Sequence, residues 1–243
     1  MSIDYTANTD YFTLDGVSST TKSIWCDTPP VPPMAKQRYT AYQTGADEDR
    51  TTPDESYEDI KYKLTFYSIE DGYDNREIYS YIVNAQKLEI SRLEGLYFKV
   101  RQVDLSSVET AFKGNRIKYT ASFTLAPFKY AVSNDEVTIA DGDVIVNNGS
   151  RYSKPTIELT GSGTITLSFN NADYTITLPS DGETVIIDSD RYITYDKSTH
   201  EVKHNVVSGL YPMLAVGNNA FEITLAPLAS VSSVKIKKNE RWY

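Results

Sequence analysis

From about residue 131 onward, no stretch of this sequence carries a helical stripe. Short apolar runs are instead cut off at regular spacing by Asp, Gly and Asn turns. The breaks are Ala140-Asp141-Gly142, Asn147-Asn148-Gly149, Gly161-Ser162-Gly163, Asn170-Asn171, Asp181-Gly182 and Gly217-Asn218-Asn219. Between them lie Thr156–Leu159, Thr164–Phe169, Tyr174–Leu178, Thr184–Ile187 and Phe221–Leu225. An amphipathic helix needs apolar residues at i, i+3, i+4 and i+7, whereas many short strands at this spacing predict an all-β sandwich. The abundance of Thr, Ser, Val and Ile, with 19 Tyr, suits pleated, half-buried surfaces and points the same way.

The first half has a different texture. Tyr11-Phe12-Thr13-Leu14 reads as a strand running into an Asp15-Gly16 turn. Ile24-Trp25-Cys26 is a short strand that ends at Thr28-Pro29-Pro30-Val31-Pro32-Pro33, where four prolines exclude both helix interior and central strand and leave an extended connector. Ala41 to Asp59 is polar and acidic. It reads either as a solvated loop or as an extended arm, Thr28 to Asp59, that contacts a neighbouring subunit. Ile60 to Tyr67 alternates apolar and polar residues, the period of a half-buried strand. Asp74 to Leu88 is the best helix: Asp74 as N-cap, Glu77 completing a capping box, and Ile78, Tyr81, Ile82 and Ala85 forming one stripe. Leu96–Val100 and Arg101–Leu105 continue as strand. Ile117, Tyr119, Ala121, Phe123 and Leu125 share one face of a long strand expected to stop at Ala126-Pro127-Phe128-Lys129-Tyr130. Val231 to Tyr243 reads as one more strand with a basic, aromatic end.

Composition narrows function mainly by exclusion. A net charge of −9 gains no counterion-release binding, so no nucleic-acid partner is expected. The single cysteine, Cys26, permits no intrachain disulfide, and beside Trp25 and Asp27 it has no activating cation; a packed, inert thiol is expected. Met1-Ser2-Ile3-Asp4-Tyr5 lacks the basic and apolar regions of a signal peptide. No apolar run approaches the roughly 20 residues of a membrane span. Synthesis in a cytoplasm is expected, with any later location reached by assembly or lysis.

One chemical motif has to be weighed. His200-Glu201-Val202-Lys203-His204 matches H-E-x-x-H, which binds zinc when a helical turn brings both histidines to one side of the metal. Here Thr199, Val202, Val206 and Val207 are β-branched, and Asp196-Lys197-Ser198-Thr199 looks like a hairpin turn with His200 to Asn205 returning as strand. Strand residues four apart lie about 13 Å apart, too far for two Zn–N bonds of about 2 Å. His200 and His204 are the only histidines, so a third ligand would be a carboxylate such as Glu222, itself in a predicted strand. The match of His200, Glu201 and His204 is therefore read as coincidental, with no metal, cofactor or catalytic residue assigned. No phosphate-binding loop and no G-x-S-x-G elbow occurs; Gly161-Ser162-Gly163 reads as a hairpin turn.

Several segments together resemble the distal tail protein (Dit) family of siphophages. Tyr11 to Ser19 resembles that family's first strand and turn, and the helix from Asp74 to Leu88 stands where the family has its N-terminal-domain helix. Phe123 to Tyr130 resembles its aromatic-proline segment. Val146 to Ser150 and Lys154 to Gly163 are similar to the start of its C-terminal sandwich. Gly209-Leu210-Tyr211-Pro212-Met213-Leu214 with Gly217-Asn218-Asn219 matches its later corner, and Ile236 to Tyr243 its basic aromatic final strand. The acidic stretch from 44 to 58 departs from the pattern.

The resemblance implies a mainly β protein: an α+β N-terminal domain with one helix over 1–130, a galectin-like C-terminal β-sandwich over 131–230, and a final strand, 231–243, returning to the first domain. It also implies a non-enzymatic virion protein of the tail tip, a hexameric ring hub joining the tail tube protein to tail-associated, baseplate proteins during host attachment, with no nucleic-acid or membrane partner. The alternative is a carbohydrate-binding module for host cell-wall saccharide, which predicts binding that is lost when exposed tyrosines of the sandwich are changed.

Overall fold

The computed structural model describes residues 10–26, 29–42, 50–68, 76–111, 116–203 and 207–243. These divide into two units, one running to Val132 and including Tyr243, the other spanning Ser133–Trp242. The protein is mainly β, with one α-helix among the described residues. No helix there is long and apolar enough to cross a membrane.

In the first unit the strands are β1 (Phe12–Leu14), β2 (Val17–Ser18), β3 (Ile24–Cys26), β4 (Gln37–Tyr42), β5 (Arg50–Tyr57), β6 (Ile60–Ser68), β7 (Lys87–Ile90), β8 (Leu96–Ala111) and β9 (Arg116–Ala131), with helix α1 (Arg76–Val83) before β7. The main sheet runs β2-β1-β7-β8-β9-β6-β3, while β4 and β5 form a sheet of their own. Asp15 and Gly16 both take positive φ, 50° and 81°, giving the two-residue turn whose twist suits a hairpin between β1 and β2.

The alternation expected in β6 is borne out. Ile60, Tyr62, Leu64 and Phe66 are buried and Lys61 and Lys63 are exposed. Opposite them on β9 stand Leu125, Phe123, Ala121 and Tyr119, also buried, and the rings of Phe66 and Tyr119 stack at 5.3 Å. Burying each such side chain contributes roughly 1.5–3 kcal/mol. Helix α1 covers this core with Ile78 and Ile82.

Two expectations here need correction. The helix ends at Val83 rather than Leu88, and Asp74, its expected cap, lies outside the described residues. It ends because the Asp15 carboxylate accepts the backbone N–H groups of Gln86 and Lys87, and Leu88 pairs with Leu14 and Phe98 as strand. Leu88 is apolar at a spacing that suits either period, so the stripe alone does not mark the stop. Likewise β9 does not stop at Ala126. It continues through a register shift, from Leu125 opposite Val100 to Lys129 opposite Phe98. Pro127 falls inside that shift, where its missing N–H costs no ladder bond.

The second unit comprises β10 (Val137–Ile139), β11 (Val144–Asn147), β12 (Thr156–Phe169), β13 (Ala172–Asp188), β14 (Ile193–Asp196), β15 (Val207–Gly209), β16 (Gly217–Leu225), β17 (Ser230–Lys237) and β18 (Arg241–Trp242). Strands β12 and β13 build both of its layers. Up to Gly161, β12 pairs with β17 on one side and with the later half of β13 on the other; from Ile165 it pairs with β16 and the earlier half of β13. One layer is therefore β10-β17-β12-β13-β14 and the other β11-β16-β12-β13-β15. Ile157, Leu159, Val234 and Ile236 from the first share one core with Ile165, Leu167, Ile176 and Phe221 from the second.

Gly161-Ser162-Gly163 and Asp181-Gly182 are thus not hairpin turns. They are corners inside two continuous strands, where sheets switch through bulges. At this corner Pro179, Ser180, Asp181 and Gly182 on β13 stand against Ser162 alone. Asn170 and Asn171, both at positive φ, do make the expected two-residue hairpin. Gly217-Asn218-Asn219 is not a turn either: it starts β16, and the buried Asn219 amide holds its surroundings together. Its Nδ2 donates to the carbonyls of Ala215 and Gly217, and its Oδ1 accepts from Ala215 N and Asn170 Nδ2, all at 2.7–2.9 Å.

Within the segment expected as a returning strand, Ser230–Lys237 pairs with β12 and β10 inside the second unit, Asn239 takes a positive φ of 50°, and Tyr243 groups with the first unit.

Candidate functional site

The acidic segment expected as a loop or arm contains a β-ribbon. Strands β4 and β5 pair from Gln37 opposite Tyr57 to Tyr42 opposite Arg50, with 43–49 outside the described residues. The register shifts between Gln37 and Tyr39, where Tyr39 faces Pro53, a residue with no N–H to offer the ladder. The chain enters from the proline connector, in which Pro29 and Pro32 are buried and Pro30 and Pro33 exposed. At its neck Glu58 N donates to Lys36 O at 2.9 Å.

Among the described residues this ribbon has no third strand. A two-stranded sheet is marginal in water on its own. Val31 (57% exposed), Met34 (68%) and Tyr39 (61%) lie along the connector and ribbon. Such a ribbon gains stability by laying these groups, and its unpaired strand edges, against another surface. Sequence reading placed an arm here but missed the strands, because alternation without an apolar face leaves no period-2 hydrophobic signal.

The described part of the histidine motif, His200 to Lys203, follows the turn after β14. The Asp196 carboxylate accepts Ser198 N at 2.7 Å, Ser198 Oγ at 2.6 Å and Thr199 N at 2.6 Å, closing the turn after β14. His200 follows at φ 61°, its N–H donating to Asp196 O. Asp196 N then donates to Glu201 O, and Val202 bridges to Tyr195. His200 and Glu201 thus sit in a hairpin turn and not on a helix; His204 lies outside the described residues. Glu222 lies on β16, paired with Ser168 on β12 in the other layer from β14. No group of three or more His, Cys, Asp or Glu among the described residues is placed to hold a metal. Cys26 is buried, its thiol donating to Asp10 O at 3.6 Å.

The Ser198 hydroxyl, then the Thr199 N–H, hold the Asp196 carboxyl well below the usual carboxylate range. A lowered folded-state pKa gives stability that is present above the unfolded value, about 4, and is lost as pH falls through the folded one. Asp196→Asn is accordingly expected to destabilise the second unit at neutral pH and to flatten its loss of stability below about pH 4. The measurement is the thermal midpoint against pH; an unchanged acid limb would contradict this role.

No protein-family model and no curated protein matches the sequence. Among solved structures, the chain is similar to the SPP1 Dit (gp 19.1) protein, described as a paradigm of the hub adsorption apparatus in Gram-positive infecting phages. The TM-score is 0.66 at 14% identity, over 96% of this chain and 99% of that one. It is also similar to a chain of the phage p2 baseplate in its activated conformation with Sr, with a TM-score of 0.53 at 11% identity, over 93% and 97% of the two chains. At these identities the likeness is one of fold, and along nearly its whole length this chain has the fold of phage Dit hub proteins.

Proposed function

We propose that this chain is a structural protein of a phage tail tip, whose first unit closes into a hexameric ring that joins the tail tube to tail-associated, baseplate proteins. The observation that carries this reading is the Dit-like fold over 96% of the chain, including both units. The ribbon supports it from the residues upward. A closed ring is built from heterologous contacts, one patch of each copy meeting a different patch of the next. A two-stranded ribbon with exposed Tyr39 supplies one such patch. The protein is made in the host cytoplasm and ends in the virion, without enzymatic activity of its own.

Light scattering on the purified chain tests this directly. A species six times the chain mass is expected as concentration rises. A monomer at all concentrations, also in the presence of the tail tube protein from the same tail, would contradict it.

A second reading, saccharide binding by the second unit, is favoured by one feature. Tyr192 is 56% exposed, edge-on to Tyr211 at 5.7 Å, with Lys154 Nζ 4.5 Å from its ring centroid. Such a half-open aromatic face suits a sugar ring, and Tyr192 is the residue on which that reading rests.

A further inference from the structure

The neck of the β4–β5 ribbon, between Lys36 and Glu58, is where it joins the rest of the first unit. Among the described residues the ribbon belongs to no larger sheet, so contacts at its base bear on its direction. The backbone bond from Glu58 N to Lys36 O ties the two neck segments to each other and does not fix their direction. At the base, two rings from the rest of the first unit meet Tyr57. Tyr57, the last residue of β5, lies with its ring centroid 5.1 Å from Phe128 and 5.7 Å from Tyr243. Phe128 and Tyr243 complete the triangle at 5.9 Å. The interplanar angles are 65°, 56° and 64°, the tilted and edge-on arrangements that aromatic quadrupoles favour. The phenol oxygens of Tyr57 and Tyr243 add a hydrogen bond of 3.0 Å.

Each ring comes from a different part of the chain. Phe128 is buried and sits beside Pro127 in the register shift of β9. Tyr57 belongs to the ribbon. Tyr243 follows the second unit in sequence yet packs in the first. A ring that touches both others turns a pairwise contact, around which Tyr57 could swing, into a three-point grip.

Resting on the ribbon's role as the contact between copies, we propose that Tyr243 is a positioning residue for assembly: with Phe128 it clamps Tyr57 and so aims the β4–β5 ribbon at the next subunit. Tyr243 itself does not need to touch that subunit. The clamp acts by lowering the conformational freedom that the ribbon loses on docking, which is the general way preorganisation raises affinity.

The test compares the whole chain with Tyr243→Ala and Tyr243→Phe. Hydrogen exchange in the ribbon, 37–42 and 50–57, is read at a concentration where the protein is monomeric, and the assembly midpoint by light scattering. Tyr243→Ala is expected to speed ribbon exchange at least tenfold and to raise the assembly midpoint at least tenfold, with exchange in β6 and β9 unchanged. Tyr243→Phe keeps the ring and loses only the phenol hydrogen bond, so it is expected to restore most of both effects. Unchanged ribbon exchange in Tyr243→Ala overturns the clamp. Faster exchange with an unchanged assembly midpoint overturns its role in assembly. If a chain lacking the ribbon still assembles, the failure lies in the ribbon's role as contact and not in the clamp.

Discussion

Gly163→Val is expected to destabilise the second unit strongly while the first is unaffected. Gly163 sits at φ 75°, and a Cβ built on it lies 2.8 Å from Ala229 Cα and 2.9 Å from Ala229 Cβ. Those neighbours are a backbone carbon and a short, rigid side chain, so neither can swing away. A left-handed conformation costs an L-residue about 1–2 kcal/mol, and a β-branched side chain fits it worse. Overpacking adds about 1–3 kcal/mol. Against a domain stability of about 5–15 kcal/mol, a combined loss on the order of 3 kcal/mol or more is a large share. The position also lies where β12 leaves one layer for the other, so its displacement disturbs the pairing of β12 with β13, β16 and β17 together. Hydrogen exchange along β12 and β13 should rise by orders of magnitude with β6 and β9 still protected. A loss of stability under about 1 kcal/mol would show that the corner tolerates a side chain and that its geometry is misjudged.

Removing the ribbon is expected to abolish assembly without unfolding the chain. Strands β4 and β5 lie outside the main sheet, in which β3 and β6 pair directly through Trp25 opposite Tyr67. Replacing 37–57 by a short Gly-Ser linker therefore leaves the core of β6, β9 and α1 intact and takes away the exposed Tyr39 and the ribbon edges. The expected product has the circular dichroism of a folded β protein and the mass of one chain at every concentration. Closed rings from this variant would mean that the contact between copies lies elsewhere on the first unit.

How far the sequence discloses this architecture depends on whether each signal is local. The β6 alternation from Ile60 to Phe66 and the β9 face from Tyr119 to Leu125 are written in residue order and match their burial. Asp15-Gly16 and Asn170-Asn171 are local turn signals, and both are turns here. Gly161-Ser162-Gly163 is different. Glycines serve a reversal and a corner equally well, and what makes this one a corner is β17, whose pairing with β12 begins some seventy residues later in the chain. The end of the helix depends on Asp15, far from it in sequence. The sequence of the ribbon strands carries no hydrophobic period, and only the acidic, proline-led composition marked the segment as an arm. The histidine motif shows the converse: the β-branched residues around it and the Asp196 turn argue against a helix in the sequence, and His200 and Glu201 lie in a hairpin.

The measurement that bears most directly on the central claim is electron microscopy of the purified chain at the highest concentration at which it stays soluble. The account predicts closed rings of six copies around a central channel, with the second unit resolved as a separate density on each copy. Discrete particles without a ring, or open filaments built from the same contact, would contradict a hub that closes on itself.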